Sequence, residues 1–156
     1  MRRVIAGAVG LVASLLMVSP AQAVDVGPND YNLWGEDTCA DPSASGFGFH
    51  IYFNSGQGGA YRNIGYSVYD FDSMKASDTS YHYLPFCELG ASRPWPGSGQ
   101  HVKNNAASGN NTHSSYSATV YFYSGFKGDQ DSIGPYQHID RFRNVYNENA
   151  SFQWTS

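Results

Sequence analysis

Charge is scarce in this chain: nine Lys and Arg and thirteen Asp and Glu among 156 residues, a formal net charge of −4. Clustered Lys and Arg are absent, which excludes grip on a phosphate backbone as the chain's business. The five histidines, His50, His82, His101, His113 and His138, show no His-x-x-x-His or Glu-x-x-His spacing. No zinc motif follows from them. Gly-x-Ser-x-Gly is missing, as is a Gly-rich phosphate loop leading into a helix, so two common enzyme signatures are excluded. Asp129 and Asp131 lie two apart, like paired carboxylates, but at this spacing in a loop they read as loop polarity or help with a cation. Only two cysteines occur, Cys39 and Cys87.

The one long apolar run is residues 4–18, behind Met1-Arg2-Arg3. It is shorter than the roughly 20 residues that span a bilayer. Ala21-Gln22-Ala23 has the small-x-small form of a signal-peptidase site. Residues 1–23 are therefore expected to be a secretory signal peptide, with the mature chain beginning at Val24. Loss of Arg2 and Arg3 takes the charge from −4 to −6. In an exported chain the lone cysteine pair is expected to form a disulfide. Closing so long a loop would stabilise by about 4 kcal/mol in the chain-entropy model.

What the chain has in quantity is Tyr, Gly, Ser and Asn, and it has them twice over. Residues 51–65, Ile-Tyr-Phe-Asn-Ser-Gly-Gln-Gly-Gly-Ala-Tyr-Arg-Asn-Ile-Gly, align without gaps to residues 120–134, at an offset of 69. Residues 102–108 echo residues 145–151 at an offset of 43, so the first copy is longer by 26 residues, falling between Phe71 and Pro96. Repeats fix architecture. Each copy starts with a branched and aromatic run suited to a pleated surface. Ser-Gly and a second Gly then mark a tight turn. Nothing in the unit has helical periodicity. A hairpin cannot bury a face alone, so two units must pack together.

Elsewhere the readings are local. Residues 24–35 form a polar lead, an edge strand or a loose cover. Tyr66 to Phe71 alternates as a half-buried strand. Asp70-Phe71-Asp72 is read as a strand end with solvated carboxylates. Residues 109–116 are read as the linker between units, and residues 136–143 as a helical turn or a bent strand. The 26-residue insertion has two readings: a cover over one end of the fold with Phe86 and Trp95 buried, or a presented loop stiffened by Pro85, Pro94 and Pro96.

The aromatic strand, the Gly-containing hairpin and the late Asn-rich turn resemble the βγ-crystallin pattern over about residues 47–154. More narrowly, the chain resembles secreted actinobacterial peptidase inhibitors of the metallopeptidase-inhibitor type. The resemblance implies an all-β sandwich of two Greek-key units, residues 47–109 and 117–156, in one domain spanning residues 24–156. It implies a monomeric, non-enzymatic, extracellular protein that needs no cofactor and binds neither nucleic acid nor membrane. Its partner would be an extracellular peptidase, met through residues 84–95, with Leu84, Phe86, Glu88, Leu89 and Arg93 as the contact candidates. The alternatives are a calcium-binding structural protein and a small toxin or antifungal protein. By resemblance, Asn104, Asn105 and Ser108 would form one calcium cup and Asn147, Glu148 and Ser151 the other. The family pattern ends in a second Ser where this chain has Gly109 and Phe152, and the first turn carries no acid. Calcium would accordingly bind weakly, because ligand charge tunes affinity.

Overall fold

The computed structural model describes residues 27–156. The expected signal peptide and its cleavage point lie outside them. The described chain opens with a helix, α1 (Pro28–Trp34), rather than an edge strand or loose cover. Pro28 occupies the first helical position, where its missing N–H is no loss. Asp30 Oδ2 accepts the Gly27 N–H at 3.1 Å, and Gly35 N–H closes on Tyr31 O at 3.0 Å. A 3₁₀ turn, Glu36–Thr38, leads to Cys39.

The rest is mostly β. Strands β1 (Phe49–Asn54) and β2 (Gly58–Ile64) form the first hairpin. Strands β3 (Met74–Lys75) and β4 (Tyr81–His82) pair as a small hairpin inside the insertion. Strand β5 (Ser108–Asn111) follows, then the second hairpin, β6 (Ser117–Tyr123) with β7 (Lys127–Ile133). Strands β8 (Gln137–Ile139) and β9 (Ser151–Thr155) complete the chain. One sheet has the order β2-β1-β5-β8 and the other β7-β6-β9.

Two boundaries differ from the sequence reading. The expected linker at residues 109–116 gives its first three residues to β5. Asn110 and Asn111 are poor strand formers, but β1 and β8 pair with this strand from both sides. Asn111 is buried, and its Nδ2 donates to the carbonyls of Tyr116, Ile133 and Gly134. The Tyr66 to Phe71 stretch makes one antiparallel bridge, Val68 to Phe152, instead of a strand.

The two copies trade segments. Strand β8 of the second copy pairs with β5 of the first, and Val68 of the first pairs with β9 of the second. The exchange is reciprocal at the backbone. Phe71 N–H donates to Ala150 O and Phe142 N–H to Ala107 O, each at 2.9 Å. Asn104 N–H donates to Asn149 O at 2.8 Å, and Asn147 N–H to Ala106 O at 2.9 Å. The two sheets share one core. Phe49 of β1 stacks on Phe152 of β9 with centroids 4.4 Å apart, both wholly buried. Each such ring contributes about 1.5–3 kcal/mol by leaving water.

Both hairpins fold over in the same way. Gln57 and Phe126, at the 69-residue offset, are non-glycine residues with φ of 53° and 61°. A left-handed backbone there costs about 1–2 kcal/mol. One buried hydroxyl meets each. Ser108 Oγ donates to Asn54 O at 2.7 Å and accepts Gln57 N–H at 3.1 Å. Ser151 Oγ donates to Tyr123 O at 2.7 Å and accepts Phe126 N–H at 3.1 Å.

Replacing either serine by alanine leaves a carbonyl and an N–H unpaired, and an unsatisfied buried group costs about 1–3 kcal/mol. Ser108→Ala and Ser151→Ala are each expected to lower unfolding stability in urea by that amount. Ser124→Ala, whose oxygen serves neither clasp, is the comparison. Equal stability of all three variants and the wild type would remove the clasp from the account.

Candidate interaction loop

The insertion is built outward from the disulfide. Cys39 and Cys87 are bonded, with Cα atoms 5.6 Å apart and a sequence separation of 48. Cys87 N–H donates to Tyr61 O at 2.9 Å, which lays the start of the loop along β2. Tyr52, Tyr61 and Cys87 form a small apolar pad on which Leu89 packs. Burial pushes the Tyr52 hydroxyl up to about 12 and raises that of Tyr61.

From Glu88 the chain runs out and back to Ser98. Ser98 Oγ ties the neck, accepting Leu89 N–H at 2.8 Å and lying 3.3 Å from the carbonyls of Cys87 and Leu89. Trp95 N–H donates to Leu89 O at 2.9 Å, and Arg93 N–H to Gly90 O at 2.6 Å. The far side is pinned to β2 by Ala60 N–H donating to Pro96 O at 2.8 Å. Two glycines are obligatory. At Gly90 (φ +90°) a Cβ would lie 2.2 Å from Arg93 O, and at Gly97 (φ +85°) it would lie 2.2 Å from the Phe53 ring. The segment is thus ordered by its own bonds while Ala91, Ser92, Arg93 and Pro94 stand exposed at its tip.

The five contact candidates divide. Glu88 and Arg93 are exposed, and Leu89 is half-buried against the pad. Leu84 and Phe86 are wholly buried in the main core, with Phe86 edge-on to Phe53. Their side chains hold the loop's base and present nothing to a partner. Alternate apolar residues on a Pro-stiffened stretch look the same in sequence whether they face in or out. Trp95, expected to be buried with Phe86 in the cover reading, is 48% exposed and meets Tyr61 edge-on.

The Asn-rich turns hold the fold together. Asn104 and Asn147 both adopt left-handed backbone. Asn105 Nδ2 donates to the carbonyls of His101 and Lys103 within its own turn. Ser108 and Ser151 are buried clasps, and Glu148 is exposed. Serines committed to hairpin backbone, with both oxygens away from solvent, do not fit a cup open to a hydrated cation. Among the described residues no three His, Cys, Asp or Glu side chains converge. Asp131, read as loop polarity or cation help, is buried in β7, where Oδ2 accepts the N–H groups of Arg143, Asn144 and Val145 at 2.9–3.2 Å. Asp129 is exposed. Asp70 pairs with Lys103 and Asp72 with His101, each at 2.9 Å.

Sequence reading missed two buried polar groups. Arg62 donates from Nη2 to the carbonyls of Asn32 and Leu33 at 2.7 and 2.6 Å, seating the end of α1 on β2. Burial lowers its pKa to about 10. His50 hydrogen-bonds Asn63 Oδ1 at 2.8 Å and Thr112 Oγ1 at 3.2 Å. At the matching positions of the second copy, Thr119 Oγ1 meets Ser132 and Thr155 hydroxyls at 2.9 Å. That second triad was legible in the offsets of 69 and 43, had they been carried through each polar position.

No family model matches the chain, and no curated protein matches it. A solved structure titled "Evolution of the eye lens beta-gamma-crystallin domain fold" is similar to it at 13% identity and a TM-score of 0.48, covering 70% of this chain and 85% of that one. Among the described residues no helix is long and apolar enough to cross a membrane.

His50 makes the fold acid-sensitive. Burial depresses its pKa, outweighing the opposing pull of Asn63 and Asp41. The unfolded chain takes up this proton near pH 6.5, while the folded chain does so only at lower pH. Stability therefore falls as pH drops below about 6.5, since the unfolded state then binds more protons. His50→Gln is expected to flatten this slope in urea unfolding between mildly acidic and neutral pH. An unchanged slope would assign it to other groups.

Proposed function

We propose that the protein is a secreted, non-enzymatic inhibitor of an extracellular peptidase, built as a βγ-crystallin-like pair of Greek-key units. The reciprocal exchange of Val68 and β8 between the copies supports the two-unit architecture. The disulfide is in keeping with an exported chain. The single observation that carries the inhibitory reading is the loop from Glu88 to Ser98. It is closed by Ser98 Oγ, anchored at Cys87 and pinned at Pro96, with its tip exposed. A loop ordered before it meets its partner avoids the ordering cost of binding. Glu88 and Arg93 are the contacts we assign to it, Leu89 lying at the edge. In this reading the mature protein acts as a monomer, requires no cofactor, and touches neither nucleic acid nor membrane.

The test is inhibition by the purified mature chain across a peptidase panel weighted to metallopeptidases, with and without added calcium. Wild type is expected to inhibit at least one enzyme equally under both conditions. Replacing residues 88–93 by a Gly-Ser linker is expected to weaken that inhibition by about tenfold or more, the scale of losing one or two anchors, with the fold kept. A folded replacement as potent as wild type would take the loop out of the mechanism. Inhibition that appears only with calcium would favour a metal-dependent protein.

A further inference from the structure

We propose that a second, separate surface of this protein binds a neutral polysaccharide. Among the described residues every large apolar side chain counted as exposed is Tyr or Trp, and none is aliphatic or Phe. Apolar surface left in water is usually mixed in type, whereas this one is made of amphipathic rings. Six rings join into a belt. Trp34 and Tyr31, three apart on α1, flank a shallow apolar groove. Tyr31 meets Tyr66 at 5.6 Å between centroids, and Tyr66 meets Phe47 at 6.2 Å. Phe47 and Tyr66 then line a second groove with His113 and Trp154, whose rings lie 5.1 Å apart. Trp34 is 54%, Tyr31 45% and Tyr66 42% exposed, so the core does not use these faces.

The chemistry of the lining selects the ligand. The carboxylate in the first groove, Asp30, is 6% exposed and spent on Ser77 and Gly27. No carboxylate, ammonium or guanidinium lines the second groove. At the belt's edge the Trp34 ring meets His82, which is paired with Asp78 at 3.0 Å, and His113 is the one basic side chain lining the second groove. A surface of rings whose neighbouring carboxylates are already paired matches an uncharged ligand, and the chain's net charge of −4 opposes an acidic polymer. Sugar rings carry an apolar C–H face that stacks on aromatic faces, and hydroxyl edges for the Tyr hydroxyls and exposed backbone. Two grooves whose linings touch through Tyr31 and Tyr66 fit an extended oligosaccharide better than a single sugar. This surface is made of residues outside the Glu88 to Ser98 loop, so it stands or falls apart from the inhibitory reading.

The experiment uses the purified mature chain with insoluble cellulose and chitin in sedimentation assays, and with their soluble hexasaccharides in titration calorimetry. Retention on at least one polymer is expected, persisting at high salt, with a shift in intrinsic Trp fluorescence when the matching hexasaccharide is added to unmutated protein. Trp34→Ala and Tyr31→Ala, tested separately, are each expected to weaken hexasaccharide binding by about tenfold, the scale of one lost aromatic contact. Arg93→Ala is expected to bind as wild type. Absence of binding and of any fluorescence shift with both glycans overturns the proposal. So does binding that survives both ring removals, or that is seen only with an anionic polymer and lost in salt.

Discussion

One buried hydroxyl in each copy holds the architecture together. Ser108 and Ser151 sit where a folded-over hairpin forces a non-glycine residue into left-handed backbone, and each accepts that residue's N–H while donating to the strand before it. Without the clasp the turn would keep its strain and lose its partner. With it, each hairpin is closed, and the serine's own strand is drawn alongside the hairpin's first strand. That places Phe49 and Phe152 face to face between the sheets. The exchanged segments then have edges to pair with, and the core closes around them.

The rest of the molecule is laid over this frame. The lead segment adds α1, seated by the Arg62 guanidinium on two helix carbonyls rather than by a carboxylate. Both carbonyls are taken by Nη2, Nη1 reaches only the Cys39 sulfur at 3.5 Å, and Nε is buried without a partner, so the guanidinium is held at a desolvation cost that its neutral partners offset only in part. The insertion runs from the first copy's exchanged segment, buries Leu84 and Phe86, and is stapled at Cys87 to the lead segment. What remains outside this base is short, held by its own hydrogen bonds, and exposed.

How much of this could be seen in the sequence depended on whether the signal was local or repeated. The offsets of 69 and 43 picked out both hairpins and both Asn-rich turns, because the same backbone problem has the same side-chain solution twice. The disulfide followed from two cysteines behind an expected export signal. Helix α1 was missed although Pro28 and Asp30 mark a helix start, since seven residues give no periodicity to read. Strand β5 was missed because pairing on both edges overrides the turn preference of Asn110 and Asn111. The candidate contacts were legible only in part. Glu88 and Arg93 are where a charged residue belongs, whereas the inward turn of Leu84 and Phe86 is set by the core above them. Asp131 looked like half of a carboxylate pair, yet three backbone N–H groups from a distant turn claim it.

The central claim is that the loop is already ordered in the free protein. Native-state amide hydrogen exchange on the purified mature chain, followed residue by residue, tests this most directly. The account predicts strong protection of the Leu89, Trp95 and Ser98 amides, and of Ala60 beneath them, with fast exchange at Ala91 and Ser92 on the tip. Exchange of Leu89, Trp95 and Ser98 as fast as in an unfolded chain would contradict it, because the loop would then have to be ordered by its partner.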